Sequence, residues 1–231
     1  MKVAPFTKLS KIVSLLILYT LWVSSLSAKD EAKEDVALPL IVCFGDSITK
    51  RGYGDILAKS IGARAINAGV AGHNTAQGLS RIQKDVINQN PDIVVIFFGT
   101  NDLRVDSIKH VKFRDYKNNL TQMIKKIKKA DAKVVVCTLP PINETVYYTR
   151  HEKAVYDTHG GLTDLIDGYR STAMEVAEKN EVALVDLNQL LLKHPEWLSP
   201  DGVHPSAAGT RIIAKLIEEK AAPLLEEISK K

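Results

Sequence analysis

Short apolar runs separated by amphipathic segments constrain the fold of this chain more than any other feature of its sequence. The runs Leu40–Phe44, Asp92–Phe98 and Lys133–Leu139 are the strongest, and Arg64–Asn67 and Val182–Val185 are shorter candidate strands. A strand that is apolar throughout is buried on both faces, as in parallel sheets covered by helices. Alternation of strands with helices favours the same arrangement. We therefore predict an α/β fold of three layers, α/β/α, around a parallel five-stranded sheet.

The segments between the strands repeat apolar residues at helical spacing, which is typical of helices that bury one face. In the first of them, Ile56 and Leu57 are expected to point inward. The predicted helices are Tyr53–Ile61, Ala76–Asn88, Tyr116–Lys129, Leu162–Lys179 and Ala207–Glu219.

The amino-terminal segment does not fit this pattern. Three lysines and no acid precede an apolar run that ends in small residues. This is the composition of a secretory signal peptide, here over residues 1–27. The apolar run is short for a membrane span, although a retained anchor is the alternative. We expect cleavage, a charged linker over residues 28–37, a folded domain over residues 38–231, and a secreted or periplasmic protein with no stable membrane insertion.

The overall charge of the chain gives no reason to expect a nucleic-acid partner. The formal net charge is +4. It falls to +1 without the three lysines of the leader, so the mature protein is nearly neutral. The sequence does not predict an oligomeric state.

Two short segments at opposite ends of the domain suggest nucleophilic chemistry. Ser47 follows the first strand in the turn Gly45-Asp46-Ser47, and His204 lies three residues after Asp201 in Asp201-Gly202-Val203-His204-Pro205. A serine can attack an acyl group when a histidine takes its proton and a carboxylate orients that histidine. Taken alone, the first segment could equally be a helix cap and the second an ordinary turn.

Together with two further blocks, these segments resemble the SGNH or GDSL hydrolase family. Ser47 matches the serine block, with Ile48 where the family name has leucine, and His204 matches the histidine block. Gly72 in Asn67-Ala68-Gly69-Val70-Ala71-Gly72-His73-Asn74-Thr75 matches the glycine block, and Asn101 in Gly99-Thr100-Asn101-Asp102 matches the asparagine block. Three of the four markers directly follow predicted strands, at the edge where open parallel sheets bind ligands.

The resemblance implies a flavodoxin-like strand order and an ester hydrolase that works through an acyl-enzyme intermediate. It implies that Ser47, Asp201 and His204 form a catalytic triad. The Ser47 and Gly72 backbone N–H groups and the Asn101 amide would form the oxyanion hole. The sequence predicts no cofactor. Its histidines and cysteines do not have the spacing of metal ligands, so no metal site is predicted.

The two cysteines, Cys43 and Cys137, lie within apolar strands and are expected to be buried thiols. The strand order implied by the resemblance places the third strand between them.

The substrate is the least constrained part of the prediction. His73 follows the oxyanion glycine, and Tyr147 and Tyr148 belong to the long connection Pro140–Gly161, which carries few aliphatic residues. These three residues are candidate substrate contacts. We expect a short acyl group, an acetyl, on a small-molecule or polysaccharide ester.

Other functions remain open on the same scaffold. They are a lysophospholipase or thioesterase type of acyl hydrolase and an inactive carbohydrate- or envelope-binding module. A flavodoxin-like cofactor binder would need a phosphate-binding loop after the first strand, for which Gly45-Asp46-Ser47 is too short and too acidic.

Overall fold

The structure, a computed structural model, describes residues 38–230. The predicted signal peptide over 1–27 and linker over 28–37 lie outside the described residues. Five parallel strands form one sheet in the order β2-β1-β3-β4-β5. The strands are β1 (Leu40–Gly45), β2 (Arg64–Gly69), β3 (Ile93–Phe97), β4 (Lys133–Cys137) and β5 (Ala183–Val185). The predicted parallel sheet and its flavodoxin-like order are confirmed.

Nine α-helices lie between and after the strands of this described part. They are α1 (Ser47–Lys50), α2 (Tyr53–Ser60), α3 (Thr75–Asp85), α4 (Phe113–Lys129), α5 (Glu144–Tyr147), α6 (Lys153–Asp157), α7 (Gly161–Lys179), α8 (Leu187–Leu191) and α9 (Ala207–Ser229). Short 3₁₀ turns occupy Ile87–Gln89 and Pro195–Trp197.

Alternate residues of each central strand enter different cores because successive side chains point to opposite faces. On one face, Val42 and Ile96 pack with apolar residues of α3, α4 and α7. On the other face, Cys43 and Val95 pack with residues of α2, α8 and α9. Every residue of β1 and β3 is buried, which explains why these strands are apolar throughout. The sheet is therefore the middle of three layers, as predicted.

Two helix predictions were wrong in detail. Ile56 is 39% exposed, because α2 buries Tyr53, Gly54, Leu57 and Ala58 and turns Ile56 away from that face. The last helix extends to Ser229 and includes Pro223. A proline removes one backbone hydrogen bond from a helix. Burial of Ala221 and Leu225 on either side of Pro223 offsets the cost of that loss.

The strand order fixes where a site can form. The chain runs from β1 outward to β2 and then returns to pair β3 with the other side of β1. Such a reversal leaves a crevice beyond the carboxyl ends of the strands, where open α/β sheets bind ligands. Ser47, Gly72 and Asn101 follow β1, β2 and β3 at this edge.

Within residues 38–230, no helix combines the length and apolar character needed to cross a membrane.

Candidate active site

Ser47 is the first residue of the short helix α1, directly after the end of β1. The Asp46 side chain caps this helix, because its Oδ1 accepts a hydrogen bond of 2.9 Å from the Ile48 N–H. A side chain at Gly45 would collide with the Phe97 carbonyl oxygen of the neighbouring strand, so only glycine fits before the turn. Arg81 donates to the Gly45 carbonyl at 2.8 Å and thereby ties α3 to the end of β1.

Asp201 and His204 lie in a loop that is closed by backbone pairing on both sides. An isolated antiparallel bridge joins Leu198 to Pro205, and the Ser199 N–H donates to the His204 carbonyl at 2.9 Å. The Ser206 side chain then caps α9 by accepting from the Gly209 N–H at 2.9 Å. The loop is therefore anchored to the start of a long packed helix.

The three predicted catalytic residues form a continuous chain of contacts. The Ser47 hydroxyl oxygen lies 2.8 Å from His204 Nε2. His204 Nδ1 lies 2.8 Å from Asp201 Oδ2. Asp201 Oδ1 accepts from the backbone N–H groups of Val203 and His204, each at 2.9 Å. The carboxylate is thus held by its own loop while it faces the imidazole.

The surroundings of Asp201 favour its ionised form. Burial alone would raise the pKa of this carboxyl, but hydrogen bonds from the His204 and Val203 backbone and from the His204 ring outweigh it and hold the pKa well below the usual range. Because an ionised Asp201 can only accept a hydrogen bond, the proton between Asp201 Oδ2 and His204 Nδ1 must reside on Nδ1. His204 Nε2 is then free to accept the Ser47 proton.

Gly72 and Asn101 lie at the predicted oxyanion side of the same cavity. Gly72 has φ +75°, a backbone conformation that favours glycine, and an added side chain there would meet no described atom within 4 Å. Backbone conformation therefore accounts for this glycine. Asn101 Nδ2 donates to the His73 carbonyl at 3.0 Å and lies 3.3 Å from Asp46 Oδ2. The Asn101 amide nitrogen is therefore held by the His73 backbone and lies next to the Asp46 carboxyl group.

Two buried carboxyl groups support this edge from behind. Burial raises the pKa of Asp46 to about 7 and that of Asp102 to about 7, although hydrogen bonds to each oppose the rise. Asp102 accepts from the Thr75 N–H at 3.0 Å and from the Thr75 hydroxyl. Its backbone carbonyl accepts from the Tyr169 hydroxyl at 3.0 Å. Asp102 therefore joins α3 and α7 to the loop that carries Asn101.

A cavity of about 460 Å³ opens onto the triad, a volume within the range of small-molecule sites, about 300–1,000 Å³. Its lining joins the triad and oxyanion residues to side chains of the loops after β3 and β4. The lining residues are Ser47, Ala71, Gly72, Thr100, Asn101, Arg104, Tyr147, Arg150, His151, Asp201, Val203 and His204. A second cavity, of about 570 Å³, lies against Pro39 and α9 and includes none of the predicted site residues.

The three predicted substrate contacts have different positions. Tyr147 lines the cavity, whereas His73 and Tyr148 do not. Tyr148 packs its ring on Tyr156 at 5.7 Å between centroids, and its hydroxyl accepts from the Leu162 N–H. His73 contributes its backbone carbonyl to Asn101.

Arg104 was not among the predicted site residues, and Arg150 and His151 were expected only as part of the long connection Pro140–Gly161. The available signal was position alone, since all three follow β3 or β4 at the functional edge of the sheet. Within residues 38–230, no cluster of three or more histidine, cysteine or acidic side chains could hold a metal ion.

Known proteins share both the sequence and the fold of this chain. The GDSL-like lipase/acylhydrolase family matches residues 43–212. A GDSL esterase/lipase of Arabidopsis thaliana is 29% identical over 213 residues, covering 81% of this chain and 86% of that protein. An acetylxylan esterase of Geobacillus stearothermophilus is 28% identical over 166 residues, covering 67% and 70% respectively. The crystal structure of a lipase/acylhydrolase from Enterococcus faecalis matches with a TM-score of 0.69 and 28% identity, covering 80% of this chain and 96% of that one. The chain therefore belongs to the GDSL-like lipase/acylhydrolase family and is a carboxylic ester hydrolase.

Proposed function

We propose that this protein is an exported serine esterase that removes acetyl groups from carbohydrate. One observation carries the catalytic part of the proposal: the Ser47 hydroxyl lies 2.8 Å from His204 Nε2, and His204 Nδ1 lies 2.8 Å from the carboxylate of Asp201. In this reading Ser47 is the nucleophile, His204 the general base and acid, and Asp201 the group that orients His204.

The reaction follows from this geometry. His204 Nε2 takes the Ser47 proton while the serine oxygen attacks the ester carbonyl carbon. The carbonyl oxygen becomes an oxyanion, which the Ser47 and Gly72 N–H groups and the Asn101 amide stabilise. The tetrahedral intermediate then expels the alcohol, which receives the proton from His204 and leaves an acyl-enzyme. Water attacks this acyl group by the same path and releases the carboxylic acid and free Ser47.

The cavity lining favours a short acyl group. Among the residues of 38–230 that line the cavity, Ala71 and Val203 are the only ones with aliphatic side chains, and the others are glycine, polar, charged or aromatic. Long acyl chains require a continuous apolar pocket. A relative named acetylxylan esterase is consistent with acetyl as the acyl group and a sugar as the alcohol.

Two other functions predict different results. A lysophospholipase or thioesterase would prefer longer acyl chains than this lining favours. An inactive carbohydrate- or envelope-binding module would need no ordered triad, and the complete contact chain from Ser47 to Asp201 argues against it.

A substrate series on the purified protein tests the proposal. We expect kcat/KM for p-nitrophenyl acetate to exceed that for the octanoate by about tenfold or more, and acetate to be released from acetylated xylan. Ser47→Ala should lower kcat by about a thousandfold or more while melting at the wild-type temperature. A tenfold preference for octanoate would contradict the acetyl assignment, and residual Ser47→Ala activity within tenfold of wild type would remove Ser47 as nucleophile.

Export and domain limits form a separate part of the proposal. The basic, apolar and small-residue order of residues 1–27 supports a cleaved leader, followed by a linker over 28–37 and a hydrolase domain over 38–231. Intact mass of the protein recovered from the medium or periplasm should show the loss of residues 1–27. A full-length species in the membrane fraction would instead indicate an anchor.

A further inference from the structure

The cavity contains a second aspartate–histidine pair that the proposed mechanism does not use. His151 Nδ1 lies 2.6 Å from Asp106 Oδ2, and His151 lines the same cavity as His204. The Tyr156 hydroxyl donates to Asp106 Oδ1 at 2.8 Å. The Tyr147 ring stacks on His151 with 4.0 Å between centroids and 15° between planes. This cluster is built from largely buried side chains and is not a chance surface contact.

The same cluster leaves arginine charge facing the cavity. Arg104 Nε lies 3.5 Å from Asp106 Oδ1, and this buried nitrogen has no hydrogen-bond partner within residues 38–230. Both oxygens of Asp106 are already bonded to His151 and Tyr156. Asp106 is therefore close enough to Arg104 for an ion pair, while the Arg104 Nε–H keeps no hydrogen-bond acceptor among residues 38–230.

Arg150 is less neutralised than Arg104. Its guanidinium donates to the Asp201 backbone carbonyl, and no acidic side chain of residues 38–230 forms an ion pair with it. Arg51 lies 3.9 Å from Asp201 Oδ2. Arg51 does not line the cavity, whereas Arg104 and Arg150 do. The carboxylates of Asp106 and Asp201 already accept hydrogen bonds at both of their oxygens. Two guanidinium groups at one cavity wall suit a negatively charged group on the substrate.

The position of Arg150 indicates which part of the substrate carries this charge. His204 must hand its proton to the leaving alcohol, so the alcohol lies on the His204 side of the reacting carbon. Arg150 is bonded to the backbone of Asp201, which orients His204. His151, the next residue, connects Arg150 through Asp106 to Arg104.

We propose that Arg104 and Arg150, positioned by the Asp106–His151 pair, form a subsite for a carboxylate on the alcohol part of the ester. This inference rests on the proposed esterase function and narrows it to acetyl esters of acidic alcohols, such as a uronic acid. Arginine suits this task because its planar donors match the two oxygens of a carboxylate.

Three acetate esters of one phenol scaffold test the subsite: 3-acetoxybenzoate, its neutral carboxamide 3-acetoxybenzamide, and 3-acetoxyphenyl phosphate. The wild-type protein should prefer the benzoate over the benzamide in kcat/KM by about tenfold, the size of one charge-assisted hydrogen bond. Arg104→Gln and Arg150→Gln should each lower this ratio by about threefold or more, and Arg104→Lys should keep part of it. Arg114→Gln, an exposed arginine on α4 outside the cavity lining, is the matched control and should leave the ratio unchanged.

The outcomes separate this inference from the esterase proposal. Equal wild-type rates on benzoate and benzamide would overturn the subsite and leave the esterase intact. Variants that slow both esters equally would show that the arginines only position the triad, which would also overturn it. A preference for the phosphate over the benzoate would overturn the assignment to a carboxylate. Hydrolysis of p-nitrophenyl acetate but of none of the three esters would overturn the subsite alone, and no hydrolysis of any of these four acetates would overturn the proposed esterase mechanism together with the subsite.

Discussion

At the scale of single residues, Asp46 contacts both the helix that carries the proposed nucleophile, Ser47, and the proposed oxyanion donor, Asn101. One of its oxygens caps the helix that begins with Ser47, and the other lies 3.3 Å from the Asn101 amide nitrogen. One buried carboxyl group therefore positions both residues to which we assign catalytic roles. The sequence places Asp46 in the turn after β1, but its contact with Asn101 depends on the pairing of β1 with β3.

Asn101→Ala should lower kcat by about a hundred- to a thousandfold, the usual effect of removing one oxyanion donor. KM should change little, because the oxyanion exists only along the reaction path. Steady-state kinetics on p-nitrophenyl acetate measures both constants. Asn118→Ala, an exposed asparagine on α4 outside the cavity lining, is the control. A change confined to KM would make Asn101 a binding residue instead.

Asp201→Asn should lower kcat by about a thousandfold or more, because an amide can hold His204 in the wrong tautomer. The pKa of Asp201 is held well below the usual range, so wild-type kcat/KM should show no loss from protonation of this group above about pH 4. A pH–rate profile of wild type and variant checks both statements. Activity of Asp201→Asn within tenfold of wild type would contradict the orienting role.

Ser47, Asp201 and His204 could be proposed from the sequence because they match the serine and histidine blocks of the family that the chain resembles, and the structure brings their side chains into contact. Arg104, Arg150 and His151 could not, since their positions depend on how the connection after β4 folds back over the edge. Tyr147 and Tyr148 show the limit clearly. The two are adjacent in sequence, yet successive helical residues differ in direction by about 100°, and only Tyr147 reaches the cavity.

At the scale of elements, the layers could be predicted from the apolar strands, whereas the short helices and the helix ends depend on tertiary packing. The sequence indicates only a long connection over Pro140–Gly161, and the structure shows that it contains α5 and α6. Helices of four and five residues carry too few apolar positions to show periodicity. This segment is held instead by its contact with the loop that carries Asp201 and His204, because the Asn143 N–H donates to the Gly202 carbonyl at 2.9 Å.

The strand order predicts that Cys43 and Cys137 remain free thiols. Cys43 is paired with Val95 and Cys137 with Phe97, so β3 lies between the two cysteine strands. Two strand spacings amount to about 9.6 Å, beyond the Cα separation of about 7 Å that a disulfide tolerates. Thiol titration of the denatured, unreduced protein should find two thiols per chain. Finding none would contradict the order of the sheet.

At the scale of the whole molecule, two acidic residues at the carboxyl edge of the sheet, Asp102 and Asp186, have pKa values shifted in opposite directions. Their contributions to stability therefore depend on pH in opposite ways. Burial raises the pKa of Asp102 to about 7, so the folded state keeps a proton that the unfolded state releases near pH 4. Asp186 behaves in the opposite way. Burial would raise its pKa, but its hydrogen bonds with Arg170 and Thr138 outweigh this and lower it.

Stability measured against pH distinguishes the two groups. Because the folded state binds more protons through Asp102 between about pH 4 and pH 7, this residue makes unfolding easier as the pH rises through that window. The stability of Asp102→Asn minus that of wild type should therefore increase from about pH 5 to pH 7, by at most about 1.4 kcal/mol per pH unit, and level off above. Any fixed cost of the amide shifts this difference without changing its slope. Asp186→Asn is the control, since the stability that Asp186 contributes is fully present above about pH 4 and is lost only below it. Urea unfolding at each pH gives both curves, and a flat or falling curve for Asp102→Asn would show that this buried carboxyl is already ionised at pH 5.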